Sequence, residues 1–105
     1  MQIIQYVPRS NDIWKYSDVI QVRHMADKYL GKDIPVYLSS RKTKKFMVIT
    51  PDNKAVHFGA MGYEDYTKHK SEERRQNYRR RAENIKGNWK QDKYSPNNLA
   101  INILW

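Results

Sequence analysis

The sequence predicts an α+β fold in which a small antiparallel sheet of about three strands has one helix before it and two or three helices after it. Two short segments rich in β-branched and aromatic residues, 46–50 and 55–58, flank the turn tetrapeptide 51–54, which predicts a hairpin. Apolar residues at helical spacing occur on both sides of this hairpin. The length of 105 residues suits one small domain, with an N-terminal strand and helix in residues 1–40 and the other elements in residues 41–105.

Two further strands are expected before the hairpin. Residues 1–7 alternate weakly between polar and apolar side chains and precede a proline, which predicts a short strand. Residues 34–38 form a short apolar run with Pro35 near its start, which is typical of a strand at a sheet edge. Together with the hairpin this second strand predicts a meander, whose connecting loops are residues 39–45 and 51–54.

Residues 18–30 are predicted to form an amphipathic helix. Ser17 is a candidate N-cap, and Asp18 places a negative charge in the first turn, as helix N-termini favour. Gly31 stands where helices commonly end. The apolar residues follow one helical face: Val19, Val22, Ala26, Tyr29 and Leu30.

A basic helix is predicted after the sheet. Ser71 is its candidate N-cap, and Glu72 and Glu73 in the first turn match the sign of the helix dipole. Gly87 is expected to end it. Its apolar stripe is narrow, so most of the helix is expected to be solvated or to face a partner: Tyr78, Ala82 and Ile85.

A last helix is predicted from Ser95, with this serine as N-cap and Pro96 at the first helical position. Between the sheet and the basic helix, Thr67 is expected to cap a short turn. The side chains expected to pack inward from the last helix are apolar: Leu99, Ile103 and Leu104.

The net charge of +9 is concentrated in two segments. Residues 41–45 contain four basic residues and no acid, and residues 57–95 contain ten Lys and Arg against six Asp and Glu. This distribution predicts a partner that carries phosphates or acidic side chains. The chain contains no cysteine, which excludes disulfides, thiolate metal sites and cysteine nucleophiles.

The candidate nucleic-acid-binding residues are the basic side chains of these segments. Arg74 and Arg81 share a face of the predicted helix at i, i+7, and Arg75 and Arg79 share one at i, i+4. An arginine fork can donate two hydrogen bonds to one phosphate. The alternative interpretation is a solvated helix face and a loop that only aids solubility. The full set is Arg41, Lys42, Lys44, Lys45, Arg74, Arg75, Arg79, Arg80, Arg81 and Lys86.

Two aromatic residues, Tyr63 and Trp89, are candidates for stacking on exposed bases. In a chain with 39% hydrophobic residues, aromatic side chains are also needed for the core, and both interpretations stay open. The sequence contains no RNA-recognition, zinc-finger or leucine-zipper pattern. Base-specific readout is therefore not expected.

The second half of the chain contains an unusual series of residues. They are His57-Phe58-Gly59, Gly62-Tyr63-Glu64-Asp65-Tyr66-Thr67, His69-Lys70, Arg74-Arg75, Tyr78, Arg81, Gly87-Asn88-Trp89, Tyr94-Ser95-Pro96-Asn97-Asn98-Leu99 and Leu104-Trp105. This block resembles a largely uncharacterised family of small basic proteins from large DNA viruses of eukaryotes, and the preceding basic loop and strand fit the same family. The family has no established activity. The resemblance implies a viral setting, in which small basic proteins mostly bind genomes or help to build virions.

The function expected from the charge and the resemblance is non-enzymatic. The chain is expected to bind nucleic-acid backbone phosphates, of DNA in preference to RNA, with little sequence preference, in genome packaging or the virion interior. No cofactor or metal is expected, and the oligomeric state is left open. Since the first residues lack a signal-peptide pattern and no apolar run reaches a membrane span, we expect no membrane partner and a location in the virion or the infected cell, nuclear or cytoplasmic.

Two alternatives remain open. A minor capsid or cement protein would use the same cations against acidic surfaces of larger capsid subunits, and the apolar segment 103–105 suits burial against a neighbour. A metal-dependent nuclease would need Glu64, Asp65 and His69 to converge on a divalent ion. Asp65 is interpreted instead as capping a turn or pairing with an arginine, and His57 as a structural residue of a strand.

Overall fold

The computed structural model describes residues 12–105, which form a three-stranded antiparallel sheet with one helix before it and several after it. This arrangement confirms the predicted α+β fold. The strand expected in residues 1–7 lies outside the described residues. Before the first helix, Asp12–Lys15 forms one turn of 3-10 helix, from which Ile13 enters the core.

The sheet consists of strands β1 (Val36–Leu38), β2 (Lys44–Ile49) and β3 (Ala55–Ala60), which pair in that order. Phe46 faces Phe58 across the β2–β3 pair, and their ring centroids lie 6.0 Å apart in the core. The predicted meander is therefore present. Strand β2 starts earlier than predicted, so it includes two residues that the sequence assigned to the basic loop.

Local chemistry explains the turn between β2 and β3. The N–H groups of Thr50 and Asn53 donate to the carbonyls of Lys54 and Thr50, each at 2.8 Å. Asn53 has a left-handed φ of 65°, a conformation that asparagine tolerates better than most residues. The turn thereby sets the hairpin register.

Helix α1 (Val19–Leu30) buries the predicted apolar face and is followed by the predicted Gly31. Its N-cap is Asp18, whose carboxylate accepts hydrogen bonds from two main-chain N–H groups of the first turn. The prediction that Ser17 is the N-cap is therefore wrong. The Ser17 side chain is buried, and its hydroxyl donates to the carboxylate of Asp65.

Two helices, α2 (Tyr66–His69) and α3 (Glu72–Glu83), follow the sheet. Asp65 caps α2 by accepting a hydrogen bond from the N–H of Thr67, so Thr67 is not the cap that was expected. Ser71 caps α3 as predicted, with its hydroxyl accepting from the first turn.

Helix α3 ends at Glu83, so the prediction that Gly87 ends it is wrong. The N–H groups of Asn84 and Ile85 bond three residues back along the chain, each at 3.2 Å, which tightens the last turn. Ile85 thereby leaves the helix and is 53% exposed. The third member of the predicted apolar stripe is consequently outside the core.

The last helix, α4 (Pro96–Leu99), begins as predicted, because the Ser95 hydroxyl accepts from the N–H of Asn98 at 3.1 Å. It continues directly as a π-helical turn over Ala100–Leu104, whose i, i+5 hydrogen bonding extends to the N–H of Trp105. The sequence pattern did not predict this turn. Its buried side chains are Ala100, Ile101, Ile103 and Leu104.

The hydrophobic core lies between α1, the sheet and the π-helical turn. Its fully buried members include Ile13, Val22, Val36, Phe46, Val48, Phe58, Leu99, Ile103 and Leu104. Within residues 12–105, no helix has the length and apolar character needed to cross a membrane.

A buried ion pair joins β2 to the start of α2. The ammonium of Lys45 lies 2.8 Å from Oδ2 of Asp65, and both side chains are 2% exposed. The prediction that Lys45 belongs to a solvent-exposed basic loop is therefore wrong. Burial lowers the pKa of Lys45, and the carboxylate of Asp65 opposes that shift.

Hydrogen bonds extend this ion pair to the segment before α1. The hydroxyls of Ser17 and Thr67 donate to the two carboxylate oxygens of Asp65. The Lys45 ammonium also donates to the carbonyl of Tyr16 at 3.3 Å. Because these groups come from three separate segments, the network fixes where β2, α1 and α2 meet.

Gly59 allows β3 to approach the π-helical turn. It has a φ of +83°, and a Cβ at this position would lie 2.8 Å from Cδ1 of Leu104 and 3.2 Å from Cβ of Lys45. Gly62 also has a positive φ, of +98°, but a Cβ there would meet nothing within 4 Å. A substitution at either glycine would therefore strain the backbone, but only a substitution at Gly59 would also crowd neighbouring side chains.

We expect Gly59→Ala to destabilise the protein more than Gly62→Ala does. Each substitution places a side chain in a left-handed conformation, at about 1–2 kcal/mol, while overpacking against Leu104 adds about 1–3 kcal/mol at Gly59 alone. Denaturant unfolding of the two variants measures the difference. Equal losses in the free energy of unfolding would contradict the close approach of β3 to the π-helical turn.

We expect Lys45→Met to lower the free energy of unfolding by about 3–5 kcal/mol, because it leaves the Asp65 carboxylate buried without its cation. The matched control is Lys54→Met. Lys54 pairs with Asp52 at 3.6 Å on the surface, where the side chains are 77% and 68% exposed, and such pairs contribute little. Thermal or denaturant unfolding that shows equally small effects for both variants would contradict the central role of the buried pair.

Candidate functional site

An open cleft of about 1060 Å³ lies between the ends of β2 and β3, the outer face of α3, and the residues that lead into α4. Its apolar base includes Phe58, Leu104 and Trp105. The buried pair of Lys45 and Asp65 also borders it. A concavity that combines apolar lining with a few convergent polar groups is the default location for a binding site.

Helix α3 supplies one wall of the cleft through a continuous face. Arg74, Asn77, Tyr78 and Arg81 all line it. Their spacing of i, i+3, i+4 and i+7 places them on one side of an α-helix. The shared face predicted for Arg74 and Arg81 is therefore present, and it opens into the cleft.

Two further basic residues of the lining come from outside α3. Lys44 comes from the start of β2, and Lys86 follows α3. With Arg74 and Arg81, these side chains place four cations around one concavity. Glu64 is the one acidic residue among the described lining residues besides the buried Asp65, and its carboxylate lies 3.8 Å from the guanidinium of Arg74.

Five of the ten predicted basic residues lie outside the cleft lining, and three of these five are exposed. Arg41 and Lys42 are exposed in the loop between β1 and β2. Arg80 is exposed on α3, where its guanidinium donates to Oδ1 of Asn77 at 3.4 Å. These cations contribute to the charge of the surface but do not border the cleft.

Arg75 and Arg79 face the end of the π-helical turn. Nε of Arg75 donates to the main-chain oxygen of Trp105 at 2.7 Å, and Nη2 of Arg79 donates to the carbonyl of Ile101 at 3.4 Å. The Arg75 guanidinium also lies 5.1 Å from the ring centroid of Tyr66. These interactions tie α3 to the C-terminal turn, where cations interact favourably with the helix dipole. The structure thus gives both arginines a packing role.

The two predicted stacking residues both line the cleft, in different environments. Tyr63 is 72% exposed. Trp89 is half-buried, and its indole N–H donates to the carbonyl of Ile85 at 2.7 Å. At the base of the cleft the rings of Tyr78 and Trp105 stack, with centroids 4.2 Å apart and planes inclined by 7°.

The sequence analysis did not assign several of the lining residues to a binding site. Two of them, Asn77 and Ile85, lie close in sequence to the cleft cations of residues 74–86. Helical spacing contained the signal for Asn77, because it lies three residues after Arg74 on the same face. No local signal identifies Ile85, since its exposure depends on where α3 ends.

The residues required by a metal-dependent nuclease do not form a ligand set. Among residues 12–105, no group of three or more His, Asp and Glu side chains is arranged to hold a metal ion. Asp65 is instead occupied by Lys45 and by the cap of α2. The expected capping role of Asp65 is confirmed, whereas its expected arginine partner is a lysine.

His57 contacts the β1–β2 loop. Its Nδ1 lies 2.7 Å from the hydroxyl of Ser39, which also accepts a hydrogen bond from the N–H of Arg41. The Ser39 hydroxyl thereby links the His57 ring to the main chain of the β1–β2 loop. Burial lowers the pKa of His57, and the nearby charges of Arg41 and Lys44 lower it further.

His69 joins α2 to α3. Its Nδ1 accepts a hydrogen bond from the N–H of Ser71 at 2.9 Å, and its Nε2 is buried without a hydrogen-bond partner. The ring lies 5.2 Å from the ring of Trp105. Burial lowers the pKa of His69, with Arg74 acting in the same direction. The neutral imidazole with its proton on Nε2 fits this environment.

Comparison with known proteins adds a family match but no function. Residues 34–82 match a family of unknown function (DUF5754). The matched segment contains the whole sheet, α2 and all of α3 except its last residue, so it includes Lys44, Arg74 and Arg81 from the cleft. No curated protein and no solved structure matches the chain.

We expect His69 to make the protein less stable as the pH falls below about 6.5. A folded-state pKa below the ordinary value of 6.5 means that the unfolded chain binds the proton first, so stability is present above that pH and lost below it. His69→Asn keeps an acceptor for the Ser71 N–H and removes the titration. Melting temperatures at about pH 7 and pH 5 are therefore expected to differ less in this variant.

The control for this prediction is His24→Asn, because His24 is exposed on α1. It is expected to retain the pH dependence of the unaltered protein. An unchanged pH dependence in His69→Asn would show that the imidazole of His69 is not held in its neutral form by the fold.

Proposed function

We propose that this chain binds nucleic-acid backbone phosphates through the cleft, without enzymatic activity and with little sequence preference. The observation that carries the proposal is the placement of Lys44 beside the same concavity as Arg74, Arg81 and Lys86. Lys44 lies in β2, far in sequence from the three cations of residues 74–86, and a solvated helix face would not require it to border the same cleft. A cleft in which positive charges outnumber negative ones attracts anionic ligands.

The chemistry of the cations favours phosphate recognition. Arg74 has a side chain that is 54% exposed, and Arg81 and Lys86 are also exposed, so anions can reach them from solvent. Arginine forks match the oxygens of a phosphate, and lysine adds a point charge. Contacts to phosphates carry no sequence information by themselves. Binding through these groups would therefore depend strongly on salt and weakly on sequence.

The biological setting in the proposal follows from the resemblance of residues 57–105 to basic proteins of large DNA viruses. In that setting DNA is the preferred partner, and the protein would act in genome packaging or in the virion interior. The competing proposal is a minor capsid protein that uses the same cations against an acidic surface of larger capsid subunits. Measurement of DNA binding separates the two.

We expect Arg74→Gln combined with Arg81→Gln to weaken DNA binding and to flatten its salt dependence. Removing one phosphate-binding cation reduces the slope of log affinity against log salt by about one unit, so the slope of the double variant is expected to fall by about two. Fluorescence anisotropy of a labelled oligonucleotide, measured over a salt series, gives both the affinity and the slope.

The matched control is Arg80→Gln combined with Lys28→Gln, since both residues are exposed and neither borders the cleft. It changes the net charge by the same amount and is expected to preserve most of the slope. Equal effects of the two double variants would contradict the cleft as the site. If the unaltered protein binds no DNA or RNA even at low salt, the nucleic-acid proposal fails and an acidic protein surface becomes the candidate partner.

A further inference from the structure

The cleft exposes apolar side chains that a phosphate-binding surface does not need. Three large hydrophobic residues are exposed among residues 12–105: Ile20, Tyr63 and Ile85. Two of them, Tyr63 and Ile85, border the cleft. Apolar side chains beside cations suit a ligand that carries both charge and apolar surface.

The shape of the site also restricts the ligand. Proteins that read duplex DNA commonly insert a helix or a β-ribbon into a groove, whereas this site is a concavity with aromatic side chains at its rim and base. A duplex keeps its bases stacked inside and presents its phosphates outward. A single strand can turn its bases toward an aromatic side chain while its backbone follows a basic groove.

We propose that the cleft binds single-stranded nucleic acid, with a base stacked on the ring of Tyr63 and phosphates on Arg74, Arg81 and Lys86. This inference rests on the proposed function and adds the class of nucleic acid. Along the axis of α3 the two arginines are separated by about 10 Å, from seven residues at about 1.5 Å each. The two guanidinium groups can therefore contact different phosphates of one strand.

Tyr63 suits a stacking role because the fold does not need its ring. The side chain is 72% exposed and is not part of the hydrophobic core. It lies beside Glu64, whose neighbour Asp65 is fixed in the buried ion pair. The main chain that carries the ring is therefore anchored, while the ring itself is open to a ligand.

The test compares three labelled probes of equal length, about 12 nucleotides, which lies within the range of single-strand sites. They are a single-stranded oligothymidine, the duplex of that strand with its complement, and an abasic strand that carries the phosphates without bases. We expect the oligothymidine to bind most tightly, because it alone offers both flexible phosphates and free bases.

The variants are Tyr63→Leu, which removes the ring, and Tyr63→Phe, which retains it. Loss of one stacked base weakens binding by about five-fold or more, so Tyr63→Leu is expected to weaken oligothymidine binding by that factor, to leave abasic binding unchanged and to preserve the salt slope. Tyr63→Phe is expected to restore the affinity. Circular dichroism melting confirms that both variants are folded.

The possible failures are distinguishable. Duplex binding as tight as single-strand binding, or oligothymidine binding unaffected by Tyr63→Leu, overturns the inference and leaves phosphate binding by the cleft intact. Absence of binding to all three probes overturns the proposed function, and the inference with it.

Discussion

The buried ion pair between Lys45 and Asp65 determines how the elements of this fold meet. The carboxylate of Asp65 accepts hydrogen bonds from the Lys45 ammonium and the Ser17 hydroxyl, and it also caps α2. Since α2 is followed after two residues by α3, the position of the basic helix depends on the same carboxylate. Two buried charges are costly to desolvate, and the hydrogen bonds around this pair satisfy both of them. The pair thus specifies the arrangement that forms the cleft.

The arginines of α3 have two different roles, since some stabilise the fold and others remain at the surface. Arg75 and Arg79 hold the main-chain oxygens at the end of the π-helical turn, while Arg74 and Arg81 border the cleft. Arg80 is directed elsewhere on the surface. The helical period of 3.6 residues produces this division, because it directs successive arginines to different sides of the helix. Substituting all five arginines together would therefore confuse a folding effect with a binding effect.

Local patterns predicted the fold well, because its signals are short-range. The apolar face of α1, the turn after β2 and the caps at Ser71 and Ser95 follow from neighbouring residues. The burial of Lys45 did not follow, because its partner is 20 residues away in sequence and lysine in a polar segment is usually exposed. The early end of α3 and the π-helical turn did not follow either, because hydrophobic periodicity does not distinguish the last turns of an α-helix from 3-10 or π turns.

The part of the candidate site that depends on local helical spacing was predictable from the sequence, and the rest was not. Helical spacing places Arg74 and Arg81 on one face, and this holds in the structure. That Lys44 borders the same cleft depends on how the sheet and α3 are placed in three dimensions, which helical spacing does not contain. The distinction between the cleft cations and the exposed Arg41 and Lys42 likewise requires the three-dimensional arrangement.

The most direct test of the cleft as the binding site is a ¹H–¹⁵N NMR titration of the labelled protein with a single-stranded oligonucleotide. Saturable shift changes are expected at the amides of Lys44, Tyr63 and Arg81 and at the indole N–H of Trp89, with the outer face of α1 unchanged. Changes concentrated on the β1–β2 loop or on α1, with the cleft signals unmoved, would contradict the account.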